Sequence, residues 1–324
     1  MKGPEAQIGE WKLHQVTLED KKLYAEYIKK TTWPVNLWSA NFPFIWSYAQ
    51  SSRRSLFWKI VDDLLVTFML TKEQKLSLFC LPFGSCDVDR LITVLHKAMR
   101  YCSLYNHVRG HYTKIRTVNE SQLAYLLTSD KFNKLFALKK LRGMEKHFSI
   151  DKLTALSGKE FASLRRHVNR FYRLYPEIQF RDYMPADYQQ TLALNRYWEE
   201  TAGTKYKSII DKEYFNAILK HYRELELIVL VAERKGEIVG VNIAGILPNG
   251  EAWGAICKTR KELEGLHEAI ILKMVQRINA LDPTIQRINV GSDMGREGLR
   301  RFKEKFKPVL DLERYRVYLK QAQP

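Results

Sequence analysis

The sequence has few cysteines, no long apolar run and no low-complexity tract. Its four cysteines, Cys80, Cys86, Cys102 and Cys257, are too scattered for a disulfide framework or a zinc site. No stretch reaches the roughly 18 consecutive apolar residues that a membrane span needs. We therefore expect buried thiols, no metal, no transmembrane segment and no disordered state.

The opening residues also lack the apolar core of a secretory signal, so a cytoplasmic location is the default expectation. The 324 residues include 45% apolar ones, which is enough for a large buried core. A chain of this length forms one large domain or two of about 150 residues each. The sequence therefore predicts a globular protein.

Acidic residues are scarce relative to basic ones. The chain has 53 Lys and Arg against 36 Asp and Glu, a formal charge of +17. Between Lys134 and Arg173, eleven basic residues stand against three acidic ones, so about half of the excess lies in forty residues. A surplus of this size attracts polyanions, and both nucleic acid and anionic membrane surfaces are eligible.

Hydrophobic spacing separates helices from strands along the chain. Helices are predicted over 87–101, 188–200, 212–225 and 266–281, and another follows a capping box formed by residues 157–160. Strands are predicted over 56–60, 64–70, 76–81, 227–232, 238–247, 251–256 and 285–290. In the second half, helices precede an antiparallel meander, then a helix and a strand. That is the element order of an acyltransferase domain of the GNAT type.

Several segments resemble one known family. Residues 159–176 (KEFASLRRHVNRFYRLYP) look like the Arg/Asn-rich helix of a bacterial family related to the C-terminal catalytic domain of phosphatidylglycerol lysyltransferases. The tail 291–319 resembles the terminal signature of that family, in which an FKxKF segment precedes a proline and a Tyr-bearing last strand. Residues 16–63 and 81–84 (LPFG) are similar to its opening part. The resemblance covers most of the chain.

The resemblance implies an α+β fold with two tandem GNAT-like domains, whose mixed, mostly antiparallel sheets are flanked by helices. The N-terminal domain would cover 1–150 and the C-terminal catalytic domain 151–324. The implied activity is aminoacyl transfer with aminoacyl-tRNA as donor. In the lysyltransferases this module follows a long membrane portion, which this sequence lacks. The acceptor therefore stays open among a small molecule, a peptide and a lipid, and peripheral contact with an anionic membrane is a further expectation.

The helix after residue 160 has a basic side. Arg166, Arg170 and Arg173 recur at i, i+4 and i+7, with Asn169 beside them. Guanidinium groups match phosphate oxygens in pairs and stay charged at any working pH. The stripe is predicted to bind the tRNA backbone. A solvated helix face without function is the alternative.

A second basic helix is predicted near the C-terminus. Ser292 or Asp293 would cap its start, and Pro308 would end it. Its apolar positions would face inward, and its cations would occupy two sides: Leu299, Phe302 and Phe306 inward, Arg300, Lys303 and Lys307 on one side, Arg301 and Lys305 on another.

These cations are the predicted catalytic set. Negative charge develops on the carbonyl and ribose oxygens during transfer from an aminoacyl ester, and fixed cations stabilise it. We expect Arg300, Lys303 and Lys305 to supply this charge, Arg301 to bind substrate, and Asp293 to orient the acceptor or the charged α-amino group. The alternative is that Asp293 only caps the helix and the cations are surface residues.

Three further residues are candidates. His267, at the start of a helix, could supply a general base near neutral pH, although a histidine in that place usually caps or packs. Trp198 and Trp253 could stack an adenine or line a side-chain pocket, although such aromatics usually belong to a core.

A coenzyme A loop is not recognisable. Acyl-CoA enzymes of the GNAT type carry a Gly-rich turn whose N–H groups take the pyrophosphate at a helix N-terminus. Residues 257–267 (CKTRKELEGLH) contain one glycine and acidic residues there. No cofactor beyond aminoacyl-tRNA is therefore expected. Two alternatives remain: an N-acyltransferase that uses acetyl-CoA or another acyl-CoA, and a non-catalytic basic protein that binds RNA or membrane surfaces.

Overall fold

The computed structural model describes residues 4–107, 113–201, 203–206 and 211–320. In this part of the chain, no helix is both long enough and apolar enough to cross a membrane.

Fifteen strands are described, and most of them pair antiparallel. They are β1 (Glu5–Ile8), β2 (Trp11–Gln15), β3 (Arg54–Val61), β4 (Leu64–Thr71), β5 (Leu76–Leu78), β6 (Lys114–Asn119), β7 (Phe136–Lys140), β8 (Glu145–Ser149), β9 (Ile178–Asp182), β10 (Leu227–Arg234), β11 (Glu237–Ile246), β12 (Ala252–Thr259), β13 (Arg287–Ser292), β14 (Leu310–Leu312) and β15 (Arg314–Leu319).

Eleven α-helices are described between these strands. They are α1 (Lys21–Lys30), α2 (Phe42–Ala49), α3 (Val88–His107), α4 (Glu120–Leu126), α5 (Asp130–Leu135), α6 (Ile150–Ala155), α7 (Ala162–Leu174), α8 (Tyr188–Glu200), α9 (Asp211–Lys220), α10 (Leu266–Leu281) and α11 (Glu297–Glu304). The predicted α+β class, with mixed, mostly antiparallel sheets flanked by helices, is confirmed.

The first compact unit is built on an eight-stranded sheet in the order β1-β2-β3-β4-β5-β6-β15-β7. Successive side chains of a strand point to opposite faces of the sheet. The apolar side chains on one face pack on α3, whose buried stripe includes Leu91, Leu95 and Met99. On the other face, α1 contacts β4, where the Tyr24 hydroxyl lies 2.9 Å from Thr67 Oγ1.

The second compact unit, Lys146–Asp311, contains a seven-stranded sheet in the order β14-β8-β13-β12-β11-β10-β9. Helix α10 packs on one face beneath α6 and α7, and α8 packs on β11 and β12. The sequence pattern explains α7, because Leu164, Val168 and Phe171 recur at helical spacing and are all buried. Helix α7 begins at Ala162, shortly after the predicted capping box, and its N-cap residue, Phe161, makes no side-chain cap hydrogen bond.

The chain ends in the first unit, which differs from the predicted division at residue 150. The first unit comprises residues 1–145 and 312–324, because β15 inserts between β6 and β7 and pairs antiparallel with both. Val317 of β15 is fully buried in the core of the first unit. Strand pairing over this sequence separation is not encoded in local spacing, so the pattern assigned the last strand to its sequence neighbours.

Candidate active site

Strands β12 and β13 pair in parallel over only two positions, Ala252 with Ile288 and Trp253 with Asn289. Both strands continue beyond this point, to Thr259 and Ser292, without pairing to each other. The end of β13 therefore presents main-chain groups that have no ladder partner on β12. This open end of the ladder is the centre of the candidate site.

Lys303 occupies the open end. Its ammonium donates to the carbonyl oxygens of Val290, Gly291 and Ser292 at 2.7, 2.8 and 3.1 Å. The residue is 8% exposed. Lys303, predicted on one side of the helix with Arg300 and Lys307, thus has its ammonium bound to main-chain carbonyls at the end of β13. Lys307 lies beyond the end of α11.

Asp293, just after β13, forms an ion pair with Arg300 on α11. The Asp293 carboxylate is fully buried; it accepts from the Gly295 N–H at 2.9 Å and from Arg300 Nε at 3.0 Å. Helix α11 begins only at Glu297, with Arg296 as its N-cap, so the predicted cap at Asp293 or Ser292 is wrong. Met294 and Gly295 both have positive φ, so the chain makes a turn between β13 and α11 before the helix begins.

Lys305 pairs with Glu268 at the start of α10, with 2.7 Å between Nζ and Oε1. His167 Nε2 lies 3.5 Å from the same oxygen. Burial alone would raise the pKa of Glu268, but the hydrogen bond and charge of Lys305 outweigh it and hold that pKa below its usual value. A buried carboxylate thus fills the first turn of α10.

His267 packs beside this pair. Its Nδ1 lies 3.3 Å from Thr259 Oγ1, and its ring meets the Phe302 ring edge-on at 4.7 Å. Burial lowers the pKa of His267 to about 4; the Glu268 carboxylate opposes the shift and Lys305 adds to it. The imidazole is therefore neutral at pH 7. A base with this pKa is weak at neutral pH, which counts against the predicted role.

We expect the variant His267→Gln to have a flatter dependence of stability on pH. The folded-state pKa is below the unfolded value of about 6.5, so between pH 6.5 and 4 only the unfolded state takes up this proton. The wild type should lose up to about 3 kcal/mol more than the variant as pH falls from 7 to 4. Urea unfolding at each pH measures this. Parallel curves would contradict it, and His221→Gln, at a half-exposed histidine that pairs with Glu224, is the control.

The structure adds a residue that sequence reasoning missed. The Lys258 side chain on β12 is fully buried, and its ammonium donates to Asn195 Oδ1 at 2.5 Å. It lies 4.4 Å from the Trp198 ring centroid and 5.2 Å from that of Phe215. Burial lowers the pKa of Lys258, and the Asp211 and Glu199 carboxylates oppose the shift. A lysine within the apolar strand AWGAICKT is the signal that could have identified it.

Asp211 lies beside Lys258. Its Oδ2 lies 4.0 Å from Lys258 Nζ, and Tyr214 donates to its Oδ1 at 3.2 Å. Burial raises the pKa of Asp211, while the positive charges of Lys258 and Lys303 both lower it. We call Asn195, Asp211, Lys258 and Lys303 the notch cluster. It combines two buried ammonium groups with one carboxylate where β12 and β13 part.

The remaining predicted residues lie apart from the notch cluster, with one exception. Trp198 is half-buried beside Lys258, whereas Trp253 is fully buried in the sheet and belongs to the core. The other predicted residues have exposed side chains. They are Arg166, Asn169, Arg170 and Arg173 on α7, and Arg301, which pairs with Glu297 on α11.

Helix α7 lies directly against the start of α10. Gly265 has φ of +88°, and a Cβ there would lie 2.8 Å from Phe171 Cβ, so the close approach of the two helices requires glycine. At the same junction, Arg170 pairs with Glu264 at 3.6 Å. Because both partners are more than half exposed, this pair contributes little to stability. The basic stripe is therefore a surface feature next to the first turn of α10.

Comparison with known proteins gives a family and a fold. The model of the family described as phosphatidylglycerol lysyltransferase, C-terminal, matches residues 35–318. No curated protein matches the chain significantly.

Three solved structures share the architecture. A conserved protein of unknown function from Bacteroides thetaiotaomicron has a TM-score of 0.81 at 22% identity, covering 95% of this chain and 99% of that chain. L-PGS from Bacillus licheniformis has a TM-score of 0.67 at 18% identity, covering 98% and 95%. A tandem GNAT protein from the clavulanic acid biosynthesis pathway has a TM-score of 0.53 at 8% identity, covering 96% and 98%. The predicted tandem GNAT-like fold is confirmed.

Proposed function

The chain belongs to the family of phosphatidylglycerol lysyltransferase C-terminal domains, and from this premise we propose that it is an aminoacyltransferase. Its donor is an aminoacyl-tRNA. An amine or hydroxyl of a small-molecule, peptide or lipid acceptor attacks the ester carbonyl carbon, the bond to the ribose oxygen breaks, and the acceptor proton passes to that oxygen. The reaction needs positioning and charge stabilisation rather than a covalent enzyme intermediate.

The notch cluster is the observation that supports this proposal most directly. Lys258 and Lys303 hold two ammonium groups at the open end of the β12–β13 ladder, and burial around Lys258 excludes water. In such a site a fixed positive charge stabilises a developing oxyanion far more than it would in water. Asp211, whose Oδ2 lies 4.0 Å from Lys258 Nζ, suits the charged α-amino group of the donor.

The predicted roles of the C-terminal cations change accordingly. Because the Asp293 carboxylate is fully buried, it acts through Arg300, whose half-exposed guanidinium it holds in place. Arg300 and Lys305, each with 47% of the side chain exposed, are the cations available to phosphates of the tRNA 3′ end. The exposed stripe Arg166, Arg170 and Arg173 contacts the tRNA backbone.

The start of α10 favours a donor other than acyl-CoA. Two backbone N–H groups of the preceding loop are used internally, since Leu263 donates to the Arg260 carbonyl and Leu266 donates to the Leu263 carbonyl. The buried Glu268 carboxylate lies in the first turn, where a pyrophosphate would have to bind. A second anion there would meet electrostatic repulsion from this carboxylate.

We expect the purified chain to bind charged tRNA more tightly than uncharged tRNA, and acetyl-CoA not measurably. Titrations at moderate salt, followed by intrinsic tryptophan fluorescence, compare the three ligands. Saturable acetyl-CoA binding with weak, unselective tRNA binding would overturn the proposal in favour of the acyl-CoA enzyme. Binding of tRNA without transfer to any acceptor would favour a non-catalytic basic protein.

The basic stripe provides an internal control for the same titrations. Arg170→Gln should weaken tRNA binding and lower the slope of log affinity against log salt by about one, because one phosphate contact is lost. Lys29→Gln, at an exposed site on α1, makes the same charge change elsewhere and should leave the slope unchanged. Equal slopes for wild type and Arg170→Gln would remove the stripe from tRNA binding.

A further inference from the structure

The first unit carries a second concentration of positive charge, on its own sheet. Lys114 and Arg116 alternate with core residue Ile115 on β6, so both lie on the sheet face opposite α3. Arg316 alternates with Tyr315 and Val317 on the neighbouring strand β15, which puts it on the same face. We call Lys114, Arg116 and Arg316 the β6–β15 cation group.

Aromatic side chains border this group. The Arg116 guanidinium lies 4.9 Å from the Tyr48 ring centroid and 5.3 Å from that of Phe79. The Arg54 guanidinium stacks on the same Tyr48 ring at 3.8 Å. Cation–π contact fixes the planes of guanidinium groups and leaves their edges available for hydrogen bonding.

The group has no acidic counterpart of its own. Among the residues that the structure describes, none of the three cations forms an ion pair with a carboxylate. Burial lowers the pKa of Lys114, and the charges of Arg316, Lys75 and Arg116 lower it further. Like charges on adjacent strands destabilise a sheet, so the folded chain carries an electrostatic cost here that a bound anion would relieve.

Arg316 adds an independent observation. Its Nε is buried and has no hydrogen-bond partner among the described residues. A buried N–H donor of a charged group left without an acceptor costs more than an ordinary hydrogen bond contributes. An oxyanion bound to the group would supply the missing acceptor. The requirement is therefore for acceptor oxygens as well as for negative charge.

We propose that the β6–β15 cation group is a binding site for the phosphate group of a small molecule or lipid. Two guanidinium groups and one ammonium group match the several acceptor oxygens of a phosphate, and guanidinium forks bind such oxygens in pairs. The Tyr48 and Phe79 rings are buried and hold the Arg116 guanidinium in place. The site lies in the first unit and stands independently of the proposed transfer reaction.

Calorimetric titration of the full chain at constant ionic strength tests this site. The probes are inorganic phosphate and glycerol 3-phosphate, with phosphatidylglycerol vesicles compared with phosphatidylcholine vesicles. We expect saturable binding of at least one phosphate probe, weakened at least about tenfold by Arg116→Gln and by Arg316→Gln. Soluble probes and vesicles distinguish a free phosphate from a lipid headgroup, and binding to either supports the site.

Controls separate specific binding from general charge. Lys97→Gln removes one positive charge on α3, on the other side of the sheet, and should leave binding unchanged. Lys114→Gln serves if an arginine variant fails to fold, which circular dichroism would reveal. No binding of any phosphate probe, or equal losses in Lys97→Gln, would overturn the proposal. If the arginine variants weaken only tRNA binding, the group contacts RNA and the proposal fails.

Discussion

Replacement of Lys258 by methionine is expected to lower the rate of aminoacyl transfer at least about 100-fold. The side chain is fully buried and its ammonium is one of two positive charges that act on Asp211 in the notch cluster. Removal of one preorganised donor from an oxyanion site typically costs a factor of 10² to 10³. Single-turnover transfer from a charged tRNA, measured with the acceptor that the assay identifies, gives this rate directly.

Methionine has nearly the volume of lysine, but it leaves the Asp211 carboxylate and Asn195 Oδ1 without the ammonium, and removal of one partner of a buried pair is destabilising. The transfer rate is therefore measured at a temperature at which circular dichroism shows the variant to be folded, which distinguishes a catalytic role from a structural one. Lys220→Met, at the exposed end of α9, is the matched control and should retain full activity. Full activity in Lys258→Met, or an equal loss in both variants, would remove the Lys258 charge from the mechanism.

Replacement of Lys303 by methionine should instead destabilise the protein strongly. Three carbonyl oxygens at the end of β13 would lose their donor in a site where the residue is 8% exposed. Acceptors left unsatisfied in a buried place cost about 1–3 kcal/mol each, so we expect a total loss of about 3–5 kcal/mol. The midpoint of thermal unfolding should fall by roughly 10 °C.

Lys307→Met provides the comparison, because Lys307 is exposed beyond the end of α11 and a surface change should cost less than about 0.5 kcal/mol. Calorimetry of both variants measures the difference. If Lys303→Met unfolds at the wild-type temperature, the three hydrogen bonds contribute little, and the open end of β13 is held by other contacts.

Helical periodicity predicted part of this site well. On α7 the pattern identified the buried stripe and left the arginines on the exposed side, as the structure has them. On α11 the same reasoning did not show that the Lys303 ammonium meets main-chain carbonyls, because periodicity gives the direction of a side chain but not the groups that it meets. The end of β13 lacks a ladder partner on β12 because the two parallel strands pair over only two positions, which local spacing does not record.

Lys258 was missed for a related reason. A lysine in a strand pattern indicates exposure, and its burial depends on α8 and α9, which supply Asn195, Trp198 and Phe215 around it. Such a contact set joins segments far apart in sequence. The order of the elements predicted the fold class, whereas the chemistry of the notch cluster depends on how those elements pack.

The position of β15 has a consequence for biosynthesis. The sheet of the first unit needs the last strand of the chain between β6 and β7, although the rest of that unit precedes residue 146. At about 5–20 residues per second, a ribosome takes roughly 10–30 s to synthesise the intervening segment. During this interval the facing edges of β6 and β7 have no partner, so the nascent first unit offers open strand edges to chaperones or to other chains until β15 is synthesised.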